Sequence, residues 1–374
     1  MEQEQTNHSP KPNWKQVGLF LGLTFGLTYL LDLILYLTIG YSQHPATTML
    51  LQVQMLIPAA VAIALQIFVF GNSPNYRLKE SPRWFFYYYL AYTVIYALLA
   101  VSVLIVPEPI YATVANLLGL VLSIGGLVLI VILRLVSGKD VFARAGLSGG
   151  KVRQWVVFGL ALALIYVLMT GLNVLFALGQ PVDVQAMLTQ AAGGASSELQ
   201  AIPTSGLLLL IGVQSLLLGP FLGLLIAFGE EYGWRGYLQG ELIKMGKIRG
   251  ILLLGVIWGL WHAPVIMMGH NYPGYPLLGV LVMILYTVGL GFFLGYAMLK
   301  TGSVWMAAYL HALNNSIASF LMVAVYMPDD PIYSFGVGLY GIIIWAIVVV
   351  GLLVLGRKEW TSPVTQAVKT DGLA

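Results

Sequence analysis

Long apolar runs separated by short polar connections set the pattern of this chain. Continuously apolar stretches lie near 17–39, 48–70, 85–106, 113–136, 155–178, 205–228, 250–268, 275–299, 304–326 and 335–356. Runs of roughly 20 such residues suffice to cross a hydrocarbon layer ~30 Å thick. Their continuity excludes the alternating pattern of a membrane β-barrel. The pattern predicts an all-α fold, a polytopic membrane helical bundle of about ten transmembrane helices. The run at 17–39 is longer than a signal-peptide core and no small-residue cleavage site follows it, so it is expected to remain as the first span.

Composition supports this reading. The chain is 59% hydrophobic and only 9% charged, against roughly 25% charged in soluble proteins. It has no cysteine, which excludes disulfides, thiolate metal sites and a cysteine nucleophile. A net charge of +3 gives no reason to expect a nucleic-acid partner.

Charge placement orients the spans. All 18 Lys and Arg residues fall in the two tails or in every second connection, Arg77, Lys79, Arg83, Arg235, Lys244, Lys247, Arg249 and Lys300 among them. The intervening connections carry acids instead: Glu108, Asp183, Glu198, Asp329 and Asp330. Positive charge stays on the cytoplasmic side, so both termini are expected to be cytoplasmic, the basic clusters facing anionic lipid heads. The protein is expected to be a multi-pass integral protein of a bacterial-type cell membrane. The longest connection, 179–205, reads as an amphipathic surface segment rather than a lid.

Ionisable groups inside a bilayer cost about 2.5–3.5 kcal/mol each on insertion scales and mark functional sites by default. Few qualify: Asp32, Glu230, Glu231, Arg235, His262 and His311. In "GEEYGWRGYL", Glu231 and Arg235 are one helical turn apart and can pair. Glu230 is rotated by about 100° from its neighbour and can face a pocket instead. In "WGLWHAP", Trp258 lies one turn before His262, and Pro264 would leave a carbonyl of the preceding turn without its donor. In "HALNNS", Asn315 shares the face of His311, with Asn314 slightly offset. His262 and His311 would lie ~18 Å and ~12 Å from the cytoplasmic ends of their spans.

Two chemistries fit such a convergence. A carboxylate can take a proton from water while an imidazole orients that water, with a second His and an Asn donating to an oxyanion. Alternatively Glu230, His262 and His311 can hold Zn²⁺ with an open fourth position. The chain lacks H-E-x-x-H, so a thermolysin-type zinc helix is excluded.

These residues resemble a known family. "EEYGWRGYL" resembles the EExxxR motif of the CPBP intramembrane proteases, which include the type II CAAX prenyl endopeptidases. "WGLWHAP" is similar to its FxxxH motif with Trp258 in place of Phe, and "HALNN" to its HxxxN motif with Asn315 in register. The resemblance covers about 205–325. It implies that Glu230 activates water with help from His262, that His311 and Asn315 stabilise the oxyanion or complete a metal site, and that Glu231 and Arg235 support them. It implies an endopeptidase acting on a membrane protein or lipid-anchored peptide within the bilayer, with a divalent metal, Zn, or none.

The chain accordingly divides into a cytoplasmic tail 1–16, N-terminal spans 17–204 of unassigned role, a CPBP-like catalytic core 205–326, and a last span with a cytoplasmic tail 327–374. Two other readings stand beside the protease. One is a non-catalytic scaffold, regulator or immunity protein on the same fold. The other is an ion-coupled transporter using Asp32, which reads otherwise as a hydrogen-bonded interior residue.

Overall fold

A computed structural model describes residues 11–71, 82–191 and 202–363. Arg77, Lys79, Glu198 and Lys369, along with the middle of the 179–205 connection, lie outside them. The described chain is an all-α bundle. Eight helices are long and apolar enough to span a membrane: α1 Trp14–Thr38, α2 Pro45–Val69, α3 Arg83–Ile105, α4 Pro109–Ser137, α5 Val152–Leu175, α6 Thr204–Leu222, and two more in the C-terminal half. After α6 the chain bends at Gly223 and continues helically as α7, residues 224–242. Then come α8 Lys247–Trp261, the single turn α9 Ala263–Met267, α10 Pro276–Thr301, α11 Val304–Val325, α12 Leu339–Leu355 and α13 Arg357–Thr361.

Three of the ten expected spans are shorter than expected, each for a local reason. The seventh, α8, has 15 residues and rises only ~22 Å. Pro264 has no N–H to continue the helix, so α8 ends at His262 and the imidazole is left inside the bundle. The tenth, α12, has 17 residues; its start is delayed by turns in which Gly336 takes φ +132°, a backbone region that favours glycine. The sixth span was expected to run to 228. It ends at Leu222 because a π-helical turn, Gln214–Leu218, precedes Pro220 and the chain then bends.

The helix ends sort by charge. At one end Glu241 accepts from the Asn13 amide at 2.7 Å and pairs with Lys244. There too Lys247 donates to the Glu359 carbonyl at 2.6 Å and Lys300 pairs with the Glu359 carboxylate at 2.6 Å. At the other end strand β1, Gly179–Pro181, pairs antiparallel with β2, Tyr326–Pro328, and Tyr275 donates to Asp330 at 2.6 Å. Lys244, Lys247 and Lys300 thus share one end with the start of α1, and Asp330 lies at the other with the β1–β2 pair, in the sense the charge pattern expects.

Arg235 is the exception and corrects the count. It was assigned to a basic connection, but that segment is helical and the Arg235 side chain is fully buried. Its charge serves the interior rather than the lipid surface. Asp32, also buried, accepts a hydrogen bond from Gln54.

Candidate active site

Three glycine-spaced contacts bring the site helices together. Gly229 and Gly233 of α7 flank the glutamate pair and pack against the α2 backbone at Met55–Leu56 and Pro58. Gly255 and Gly259 of α8 do the same against α10, where an added Cβ would lie 2.7 Å from Val288 Cα and 2.5 Å from Ile284 Cα. Small residues four apart let membrane helices approach backbone to backbone. The third contact is Gly291 on α10, which sits against Gly255 and leaves room beside the Arg235 guanidinium. The turn Tyr232–Leu238 that follows the glutamates is π-helical, a widening common where function distorts a helix.

Glu230 and Glu231 are both buried, at 2% and 0% exposure. They therefore lie within the bundle, as expected of ionisable groups placed inside the bilayer. Their environments differ. Glu231 Oε1 accepts from Arg235 Nη1 at 3.1 Å and meets His311 Nδ1 at 2.7 Å. An ionised carboxylate only accepts, so His311 Nδ1 carries the proton and its Nε2 points the other way. That Nε2 lies 3.9 Å from Glu230 Oε1. The distance is too long for a direct bond and suits a bridging water.

Glu230's other oxygen is held by Trp258. The indole Nε1 donates to Oε2 at 2.7 Å. The Arg235 guanidinium stacks over the Trp258 ring with Cζ 4.1 Å from its centroid, so one cation both pairs with Glu231 and fixes the indole. Trp258 also orients His262, whose Nδ1 is 2.8 Å from the Trp258 carbonyl. A carbonyl cannot donate, so Nδ1 is protonated and Nε2 keeps the lone pair. His262 is only partly buried, and no contact joins it directly to Glu230.

The end of α8 is braced from α1. Pro264 deprives the Leu260 carbonyl of its normal helical donor; Tyr29 Oη donates to that carbonyl at 2.7 Å. One residue along, Trp261 Nε1 donates to Thr28 Oγ1 at 2.9 Å. An irregular backbone at membrane depth persists only when neighbours satisfy it in this way.

The expected set is thus gathered unevenly. Glu230, Glu231, Arg235 and His311 form one contact network with Trp258 at its centre, and His262 joins through Trp258. Asn315 lies one turn beyond His311 on α11, is exposed, and touches Asn314 rather than the carboxylates. Among the described residues no three His, Asp or Glu side chains converge closely enough to hold a metal ion. The residues do not fit the three-ligand zinc site considered from sequence, and no step below is routed through a metal.

Sequence reasoning missed the hydrogen-bonding role of Trp258. The available signal was chemical: the family motif places Phe there, and Trp adds an N–H facing the glutamate.

Residues 212–317 match the family described as Rce1-like, type II CAAX prenyl endopeptidase. The match includes every residue of the contact network. Over that segment the chain is similar to this family. A curated relative, CAAX prenyl protease 2 of Methanococcus maripaludis, is 42% identical over 53 residues, 14% of this chain. The chain spans about a fifth (20%) of the length of that relative. No solved structure matches the chain. The matched segment sits in an integral membrane protein, with the three motifs on α7, α8 and α11.

Proposed function

We propose that this protein is an intramembrane endopeptidase that hydrolyses a peptide bond of a membrane-associated substrate, a membrane protein or lipid-anchored peptide. The observation that carries the proposal is the gap between Glu230 Oε1 and His311 Nε2, 3.9 Å wide and buried. One water can contact both atoms. Glu230 takes a proton from that water as its oxygen adds to the substrate carbonyl carbon. The same proton can then pass to the leaving amine.

The surrounding groups have separate tasks. Trp258 holds Glu230 Oε2 so that Oε1 faces the water. Glu231 fixes the His311 tautomer. Two carboxylates face one guanidinium, so a single proton shared between His311 and Glu230 balances the cluster and is available to move. His262, whose Nδ1 is tied to the Trp258 carbonyl, keeps Nε2 free to orient the water or the leaving group. In this reading Asn315, one turn beyond His311, donates to the oxyanion.

The decisive assay uses the full chain in lipid vesicles with a lipid-anchored peptide, with and without chelator. Glu230→Gln keeps the shape and removes the base. Cleavage by wild type that is lost in Glu230→Gln and unaffected by chelator supports the reading. Cleavage that survives in Glu230→Gln and in His311→Ala overturns it, and loss on chelation would restore a metal role.

A further inference from the structure

Next to the carboxylate network, and absent from the family motifs, lies a buried cluster of two phenols and an amide. Tyr166 on α5 donates to Asn314 Oδ1 at 2.6 Å. Tyr286 on α10 lies 3.2 Å from the same oxygen and 2.9 Å from the Tyr166 hydroxyl. Asn314 Nδ2 in turn donates to Asn315 Oδ1 at 3.1 Å. Tyr166, Tyr286 and Asn314 are all buried, whereas Asn315 is exposed. Three helices therefore meet at one amide whose neighbour in sequence is the last residue of the family's HxxxN motif.

An amide can point either way, and the Asn314–Asn315 bond alone would survive reversing both side chains. The phenols break that symmetry. With Asn314 Oδ1 toward them, the Tyr166 hydrogen goes to Oδ1 and the Tyr286 hydrogen to Oδ1 or to the Tyr166 oxygen. Every buried hydroxyl then has an acceptor. With Nδ2 toward them instead, the amide hydrogens occupy the phenol oxygens. One phenol can still donate to the other, and the second O–H has no acceptor in a dry interior. Such an orphan is costly, so the first sense prevails. It sends Asn314 Nδ2 to Asn315 Oδ1 and leaves the exposed Asn315 with Nδ2 free to donate.

We infer that Tyr166, Tyr286 and Asn314 are positioning residues that fix the sense of the Asn315 amide, so that Asn315 meets the substrate carbonyl as a hydrogen-bond donor. The inference rests on the endopeptidase reading for the identity of the ligand, but the orientation itself does not. A reversed Asn315 would aim a carbonyl oxygen at a developing oxyanion and repel it. The relay is also redundant. Asn314 Oδ1 has two lone pairs and two phenols within reach, so either phenol alone can hold it.

Two readouts test this on the full chain. The first is the side-chain NH₂ resonance pair of Asn315 in [¹⁵N]asparagine-labelled protein in micelles, assigned by its loss in Asn315→Ala. The second is kcat and KM on a lipid-anchored peptide. Tyr166→Phe and Tyr286→Phe singly should each move the Asn315 resonances and kcat less than the double variant does, because one phenol still holds Asn314 Oδ1. The double variant should shift the Asn315 resonances and lower kcat about tenfold to a hundredfold at constant KM, less than or equal to the ~10²–10³ cost of losing an oxyanion donor. Asn314→Asp, which keeps acceptors for both phenols but cannot donate to Asn315, should do the same and serves if the double variant fails to fold. Tyr272→Phe, whose hydroxyl bonds the Val337 carbonyl, should move neither readout. Added to Asn315→Ala, the double variant should cost nothing more. Unmoved resonances in both the double variant and Asn314→Asp, or losses fully additive with Asn315→Ala, overturn the relay. If wild type cleaves no peptide, the endopeptidase reading fails by itself, and the resonances alone decide the relay.

Discussion

Trp258 donates its indole N–H to Glu230 at 2.7 Å across two helices that are 28 residues apart in sequence. The bond turns an aromatic position into a polar one. It also divides the work of the glutamate: one oxygen is fixed by the protein and the other faces His311.

Trp258→Phe should therefore keep the packing and lose the anchor. A hydrogen bond to a charged group is worth about 1.5–3 kcal/mol, so the unfolding midpoint is expected to fall, and kcat with it by roughly tenfold to a hundredfold. Parallel cleavage and thermal-unfolding measurements check it. Unimpaired kcat would show that the indole N–H has no part in placing Glu230.

Glu231 balances a fully buried cation. Glu231→Gln leaves Arg235 unpaired, which typically costs about 3–5 kcal/mol for a buried pair broken on one side. Denaturant unfolding in micelles should show that loss. Replacing both partners, Glu231→Leu with Arg235→Met, should recover much of the stability but no cleavage, because the His311 tautomer is still unheld. A double variant no more stable than Glu231→Gln would contradict this account.

The glycine contacts make a sharper steric prediction. Gly229→Ala and Gly255→Ala push a methyl into the backbone of α2 and α10 respectively, whereas Gly240 has nothing within 4 Å of its added Cβ. Gly240→Ala should be tolerated. The other two should lower both folded yield and unfolding midpoint, in keeping with overpacking costs of about 1–3 kcal/mol. Equal stability of the three would argue against close α7–α2 and α8–α10 approach.

Tyr29→Phe removes the donor that satisfies the Leu260 carbonyl. About 1 kcal/mol of stability is expected to go with it, together with a lower kcat as the His262 turn loosens. Tyr36→Phe on the same helix is the control. Should the two variants behave alike, α1 does not brace the site.

At the basic end the prediction concerns pH. The Lys300 ammonium, bonded to Glu359 at 2.6 Å, holds that carboxyl below its usual range. A depressed folded value means the contribution is present above the unfolded carboxyl value and is lost as pH falls through the folded one. The pair is partly exposed, so the effect on stability is small. Titration of ¹³C-labelled glutamate should show the Glu359 resonance moving to higher pH in Lys300→Ala. An unmoved titration refutes the pairing.

What the chain dictated by itself was the solvent and the sorting of its ends. Continuous apolar runs admit only helices in lipid, and charge spacing divides the connections into two sets; neither depends on which helix packs against which. The Glu231–Arg235 pair was legible for the same reason, since a helix turn is a local geometry, and so was the break at Pro264. Tertiary structure alone decided the rest. The burial of Arg235 followed from a helix that continues where a connection was expected. The linking of Glu230 to Trp258, of Glu231 to His311 and of Asn314 to two distant phenols needed the α7–α2 and α8–α10 glycine contacts to set helix rotation. A hydrogen bond between side chains far apart in sequence depends on that rotation to within a few tens of degrees, and no pattern along a single helix contains it.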